Sequence, residues 1–286
     1  HPRPDQGGRV RAWTPGASSS MTDVTSSLLD AAAEAAQLAG DVALRHYRSR
    51  LEVHTKADGS PVTVADRAAE QAIHEWVARR FPTDGILGEE LGLVRPDALR
   101  RWIIDPIDGT KTFVRGVPLW GSLVALVEGD TVLAGAASYP ALGESIAASR
   151  GEGCWWNGVR CSVSAVSSIA GATVLTTDEQ FAGDEQRIAA WHRLSTAALL
   201  GRSWGDCYGY LLVATGRAEV MIDARLQPWD AAPFAPIIAE AGGVLTDWGG
   251  DVTPFGGSAI ATNLVLSNAV RNVLGAGPPA RLWDGT

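Results

Sequence analysis

The run Asp105-Pro106-Ile107-Asp108-Gly109-Thr110 places two carboxylates, a stiffened turn and bare amides within six residues. Pro106 fixes its own φ and restricts Asp105. On such a turn, carboxylates three positions apart can point at one spot, with the Ile107 carbonyl between them. These are hard oxygen ligands of the kind that suit Mg²⁺. Gly109 and Thr110 add N–H groups at the start of a turn or helix, where phosphate binds. The plain alternative is a surface turn, since Asp, Pro and Gly are all turn formers.

Three more segments carry acids that read either way. Ile86-Leu87-Gly88-Glu89-Glu90 ends a short apolar strand in two carboxylates, which would also suit the first turn of a helix. Asp230, in Trp229-Asp230-Ala231-Ala232, would serve as a metal ligand or as the N-cap of the following helix. Asp66, in Thr63-Val64-Ala65-Asp66, has the same ambiguity at a helix start.

The elements that must position these groups follow from periodicity. Ser26 to Arg50 is Ala-rich, with Leu28, Ala31, Ala35, Leu38 and Val42 at helical steps. A polar loop, Lys56 to Pro61, leads to Thr63 as N-cap of a second helix that ends at Phe81-Pro82. Residues 85–88 and 101–105 read as short buried strands. Residues 119–128 and 131–138 form a hairpin about Gly129-Asp130, and 144–149 is another strand. In the second half, strands are expected at 172–176, 220–223 and 244–246. Helices are expected near 184–200, 206–216 and 230–241, with Pro236 distorting the last. The mixture implies a layered α/β arrangement with antiparallel or mixed sheets.

Composition narrows the class. The chain has 286 residues, 46% hydrophobic and 20% charged, an ordinary globular balance. Residues 1–20 are rich in Pro, Gly, Ser and Arg and read as a disordered leader, an upstream translated stretch or a tag remnant. Arg3, Arg9 and Arg11 against Asp5 give that stretch +2; with −8 overall, residues 21–286 carry −10. An acidic body argues against nucleic acid as ligand and is compatible with divalent cations. No apolar run approaches the roughly 20 residues of a membrane span. Cys154, Cys161 and Cys207 are an odd, small set that fits a reducing, cytoplasmic setting better than a disulfide framework, though Cys154 and Cys161 could meet across a hairpin.

In this order and spacing, the segments K-x-D-G-S-P-V-T-x-A-D (from Lys56), GEE (from Gly88), DPIDGT (from Asp105) and WDAA (from Trp229) resemble the inositol monophosphatase superfamily over residues 25–275. The resemblance implies an α-β-α-β-α sandwich in one phosphatase domain, with halves near 21–165 and 166–286, usually a homodimer. It implies two or three Mg²⁺ ions held by Glu89, Asp105, the Ile107 carbonyl, Asp108 and Asp230. Phosphate would lie on Asp108, Gly109, Thr110 and Lys111. Glu89 and Thr110 would activate the attacking water, with Asp66 behind Thr110. Thr112 departs from the Asn that many relatives carry.

The resemblance places substrate contacts in the second half, on Arg202, Gly205, Asp206, Asp223 and Asp230. Two acids beside the leaving group suit a cationic alcohol better than neutral inositol. The segments 205–221, 113–120 and 246–248 are similar to the histidinol-phosphatase branch. The residue-level alternatives are that Asp206 caps a helix, Asp223 ends a strand and Arg202 is a plain surface charge. An inositol, nucleotide or sugar phosphate phosphatase, or a mainly protein-binding member, are the competing functional readings. Trp120 and Trp229 read as packing; Lys56 reads either as a phosphate-side charge near the metal site or as merely solvated, and the histidines His46, His54, His74 and His192 receive no role.

Overall fold

Apolar periodicity in Leu28–Leu44 (α1) becomes a helix because Ser27 caps it, its hydroxyl accepting from the Asp30 amide at 3.2 Å. The alanine face of α1 is buried and lets the helix lie close to a sheet. Short strands Val53–Thr55 (β1) and Pro61–Thr63 (β2) pair antiparallel. Thr63 then caps Val64–Arg80 (α2), with Asp66 completing a capping box. The structure is a computed structural model and describes residues 27–49, 53–55 and 61–277. Ser26, Arg50, Lys56 and the leader expectation for 1–20 lie outside the described residues.

The first sheet has eight strands: Gly85–Gly88 (β3), Gly92–Val94 (β4), Arg100–Asp108 (β5), Gly121–Glu128 (β6), Thr131–Tyr139 (β7), Glu144–Ser149 (β8), Gly153–Trp156 (β9) and Val159–Arg160 (β10). Their order is β10-β9-β8-β7-β6-β5-β3-β4, antiparallel except for β3 beside β5. The short helix Thr110–Phe113 (α3) follows β5 directly.

The second sheet holds Thr173–Thr176 (β11), Leu200–Arg202 (β12), Val220–Asp223 (β13), Gly243–Thr246 (β14) and Ala259–Asn263 (β15), ordered β12-β11-β13-β15-β14. Five helices interleave: Glu185–Ala197 (α4), Cys207–Ala214 (α5), Pro228–Ala231 (α6), Phe234–Glu240 (α7) and Ser267–Leu274 (α8).

The layers follow from the contacts. α1 and α2 pack together on one face of the first sheet. α7 touches β7, β8 and β9 on one side and β14 on the other, and α5 joins it between the sheets. α4 and α8 cover the far face, where Trp191, Leu194, Val270 and Leu274 meet Val174, Val220 and Ile222. The result is the expected α-β-α-β-α sandwich. Among the described residues no helix is long and apolar enough to cross a membrane.

Several expectations change in detail. The expected helix 230–241 is two helices, because Pro233 stands between α6 and α7. Pro236 falls in the first turn of α7, where its missing N–H breaks no helical bond. The strand expected at 101–105 continues to Asp108. β15 and α8 were not read from the sequence. Cys154 and Cys161 do meet across the β9–β10 hairpin, as free thiols with sulfurs 3.4 Å apart.

Gly135 of β7 lies under Pro233 at the mouth of α7; a Cβ there would stand 2.1 Å from the Pro233 carbonyl oxygen. Gly135→Ala is therefore expected to destabilise the protein by about 1–3 kcal/mol through overpacking. Urea unfolding measures it, and an unchanged midpoint would mean the helix layer yields freely.

Candidate metal and phosphate site

The site begins with an irregularity in β5. Asp105 pairs with Leu123 and Asp108 with Gly121, so three steps on β5 match two on β6. In a regular strand, residues three apart point to opposite faces. The one-residue bulge at Pro106-Ile107 resets that parity and brings both carboxylates to one side. The Ser122 hydroxyl donates to the freed Pro106 carbonyl at 2.6 Å, and the Ile107 amide donates to Asp105 Oδ1 at 3.0 Å.

Asp230 arrives from the other half of the chain. It is not the N-cap of its helix; Gln227 is, and Asp230 sits in the first turn of α6 with Oδ2 accepting from the Gln227 amide at 2.7 Å. Asp105, Asp108 and Asp230 each offer an oxygen within 4.8 Å of the others. Glu89, at the end of β3, is the strongest of the charges acting on Asp105.

Electrostatics show that this group of acids fits a cation. Burial, then the charges of Glu89, Asp108 and Asp230, holds Asp105 well above the ordinary carboxylate range. Burial, then Asp230, pushes Asp108 up to about 7, although the Cys207 amide donates to its Oδ2 at 2.5 Å. Asp230 is raised to about 7, chiefly by burial. An all-oxygen set whose members repel one another is the donor chemistry of Mg²⁺.

Gly109 takes φ +81 as the cap of α3, and a Cβ there would stand 2.9 Å from Thr112 Oγ1 and 3.2 Å from Asp206 Oδ2. Thr112, the departure from Asn, spends its hydroxyl on the Gly109 and Leu119 carbonyls at 2.6 and 3.0 Å. The Thr110 hydroxyl donates to the Ile107 carbonyl at 3.0 Å, leaving that oxygen its second lone pair. Asp66 is buried and receives the amide and hydroxyl of Thr63 on Oδ2 at 2.8 and 2.7 Å, not the hydroxyl of Thr110. Thr63, which it holds, ends β2, and β2 lies beside α3, the helix that begins at Thr110.

Asp108 and Asp230 open into a cleft of about 120 Å³ that Asp206, Asp223, Tyr210 and Arg225 also line. Asp206 precedes α5, but its side chain makes no capping bond; its backbone is strained at φ +50 and its amide donates to Thr177 Oγ1 at 2.8 Å. Burial, then Asp108 and Asp223, pushes its carboxyl to about 8, against Lys111 nearby. Asp223 is buried at the end of β13 and accepts from the Thr177 amide at 3.2 Å and the Tyr210 hydroxyl at 2.8 Å. Gly205 packs on Thr177 with no room for a side chain. Arg202 is not brought in: it is exposed on edge strand β12, its guanidinium on the Gly201 carbonyl. Thr177, Tyr210 and Arg225 were not singled out in the sequence. Only their distance from β13 in the chain separates Thr177 and Tyr210 from the acid they hold.

The whole stretch 25–276 matches the model of the Inositol monophosphatase family. The chain belongs to the inositol monophosphatase family. It is 43% identical to a histidinol-phosphatase of Chlorobaculum parvum, over 87% of this chain and 95% of that protein. It is 39% identical to a histidinol-phosphatase of Mycobacterium tuberculosis, over 79% of this chain and 89% of that protein. The solved extragenic suppressor protein SuhB of Bartonella henselae superposes with a TM-score of 0.83 at 29% identity, covering 88% of this chain and all of that one. Like the family, the chain is a phosphoric monoester hydrolase.

The raised carboxyls tie stability to pH. Their ordinary value is 3.8; in the folded chain Asp108 and Asp230 stand near 7 and Asp206 near 8. Between those values the native state holds protons that the unfolded chain has lost. Their contribution is full below 3.8 and vanishes as pH rises through 7 to 8. The metal-free protein should therefore lose thermal stability between about pH 5 and about pH 8.5, and Mg²⁺ should restore it at the upper end. Calorimetry with and without chelator decides; a metal-free midpoint that climbs across this range contradicts the assignment.

Proposed function

We propose that this chain hydrolyses histidinol phosphate to histidinol and orthophosphate, the penultimate chemistry of histidine biosynthesis. The observation that carries the reading is the cleft wall. Asp206 and Asp223 line the same cleft as Asp108 and Asp230, and burial raises the pKa of both. A carboxyl so raised gains free energy from an arriving cation. Histidinol offers an ammonium and an imidazole; inositol offers neither. The 43% and 39% identities to proteins named histidinol-phosphatase point the same way.

In this reading Glu89, Asp105, the Ile107 carbonyl, Asp108 and Asp230 would hold two or three Mg²⁺ ions. Bound there, Mg²⁺ supplies Lewis-acid charge and a water more acidic than bulk. Glu89 and Thr110 would orient a water for in-line attack; its oxygen bonds to phosphorus as the ester P–O bond breaks, and its proton passes through solvent to the departing oxygen. The amides of Gly109 and Thr110 and the Lys111 ammonium receive the phosphoryl oxygens as the ester bond breaks. Asp206 and Asp223 hold the departing amino alcohol, and Tyr210 and Thr177 keep Asp223 from swinging away. No side-chain nucleophile is needed. The proposal includes one catalytic unit drawn from both halves, a homodimer and a cytoplasmic location.

Phosphate release from a panel of monoesters tests the substrate. Histidinol phosphate should be turned over well ahead of inositol 1-phosphate, and the reverse order would sink the reading. Asp206→Asn should raise KM for the cationic ester by about 10- to 100-fold, the range for losing a charged contact, and change a neutral ester far less. Equal loss for both would contradict the role given to Asp206. Asp105→Asn should abolish Mg²⁺-dependent turnover; full activity would refute the metal assignment.

A further inference from the structure

One buried carboxylate near the site has no part in the chemistry above. Glu70 lies in the middle of α2, fully buried. It is outside the Asp105, Asp108 and Asp230 group. Both of its oxygens are committed to backbone: Oε2 accepts from the Glu90 amide at 2.8 Å and Oε1 from the Leu91 amide at 2.9 Å. These are the two amides that follow Glu89. On the other side, the Glu89 amide donates to the Ile104 carbonyl at 3.2 Å. Glu89 is thus pinned before and after its Cα, by β5 on one side and by α2 on the other.

The approach of Glu70 is built into the chain. Gly88 precedes Glu89, and a Cβ at that position would lie 1.8 Å from Glu70 Oε1. Only the bare glycine lets the carboxylate reach under the turn. His74, one helical turn further, has Nε2 at 3.4 Å from the same oxygen and no hydrogen-bond partner of its own. Asp66 lies one turn earlier on the same helix face, where it holds Thr63 at the end of β2, beside the α3 segment that carries Thr110. One face of one helix therefore underlies both groups assigned to the attacking water.

We propose that Glu70 is a positioning residue: by receiving the Glu90 and Leu91 amides it fixes the main chain that aims Glu89 at the water. The inference rests on the role given to Glu89 above. It matters because in-line attack tolerates little displacement, and an error near 1 Å can cost on the order of 100-fold in rate. A carboxylate suits the task since it only accepts hydrogen bonds. An amide in its place would set an N–H against one of the two backbone N–H groups.

Glu70→Gln keeps the shape and removes one acceptor. In the metal-free protein, hydrogen exchange at the Glu90 and Leu91 amides should speed up by at least about 10-fold, the equivalent of one lost hydrogen bond. With Mg²⁺, kcat should fall about 10- to 100-fold, as for other groups that orient a metal ligand, with KM for the ester within about 3-fold. Placed in a Glu89→Gln background, Glu70→Gln should lower kcat no further, since it acts through Glu89. A lowered melting point with unchanged kcat, or an additive loss in the double variant, overturns the proposal. If Glu70→Gln does not fold, Glu70→Asp takes its place. It keeps both acceptors but retracts them, so the same losses are expected and the same two results overturn the proposal. Should Glu89→Gln itself keep full turnover, the role of Glu89 fails, and amide exchange still reads the hold of Glu70 on the turn.

Discussion

Everything in this molecule is arranged around carboxylates that repel one another. Asp105, Asp108 and Asp230 are crowded together, recessed from water, and each is raised above its ordinary value. Such a group gives the folded chain nothing by itself, since burying like charges opposes folding. Its presence requires a scaffold rigid enough to hold it and a cation to neutralise it. The two sheets and the helix layer between them provide the first. A divalent metal would provide the second.

The scaffold acts on this group from both sheets. The first sheet contributes Glu89, Asp105 and Asp108 through adjacent parallel strands β3 and β5, with the bulge in β5 correcting the direction of Asp108. The second half contributes Asp230 through α6, and a backbone amide at the start of α5 that donates to Asp108. The packed cluster of Leu123, Tyr139, Tyr210, Phe234, Ile237, Met221 and Leu245 spans the two sheets and ties those contributions together. The metal side of the cleft is thereby shared between the halves. The acids proposed to hold the leaving group, Asp206 and Asp223, come from the second half alone.

Under the proposed function, that division separates reaction from selection. The phosphate side is short in sequence, because metal ligation and anion binding need backbone atoms and acids held at close quarters. The leaving-group side is assembled from residues as far apart as Thr177, Asp206, Tyr210 and Asp223, joined by hydrogen bonds. A loop can change there without disturbing the bulge or the metal ligands, so one reaction can serve different alcohols.

The sequence alone determined the chemistry and most of the elements that carry it. Asp105 to Thr110, Glu89 and Asp230 each read alone as turn, helix-start or cap residues as readily as ligands; only the order and spacing of all the segments together, resembling the inositol monophosphatase family, named them as metal and phosphate ligands. Alternation and helical periodicity placed α1, α2 and the β6–β7 hairpin from local pattern. Only the tertiary structure decided what depends on long-range contact. It showed that β5 is bulged rather than ended by a turn, that Asp230 lies inside a first turn rather than capping it, that Arg202 faces away, and that Pro236 does no harm. It also brought Glu70 under Glu89 and Thr177 between two acids. Residues 20 to 46 positions apart leave no periodic trace of their meeting; only the packing of helix on sheet and strand beside strand puts them within hydrogen-bond reach.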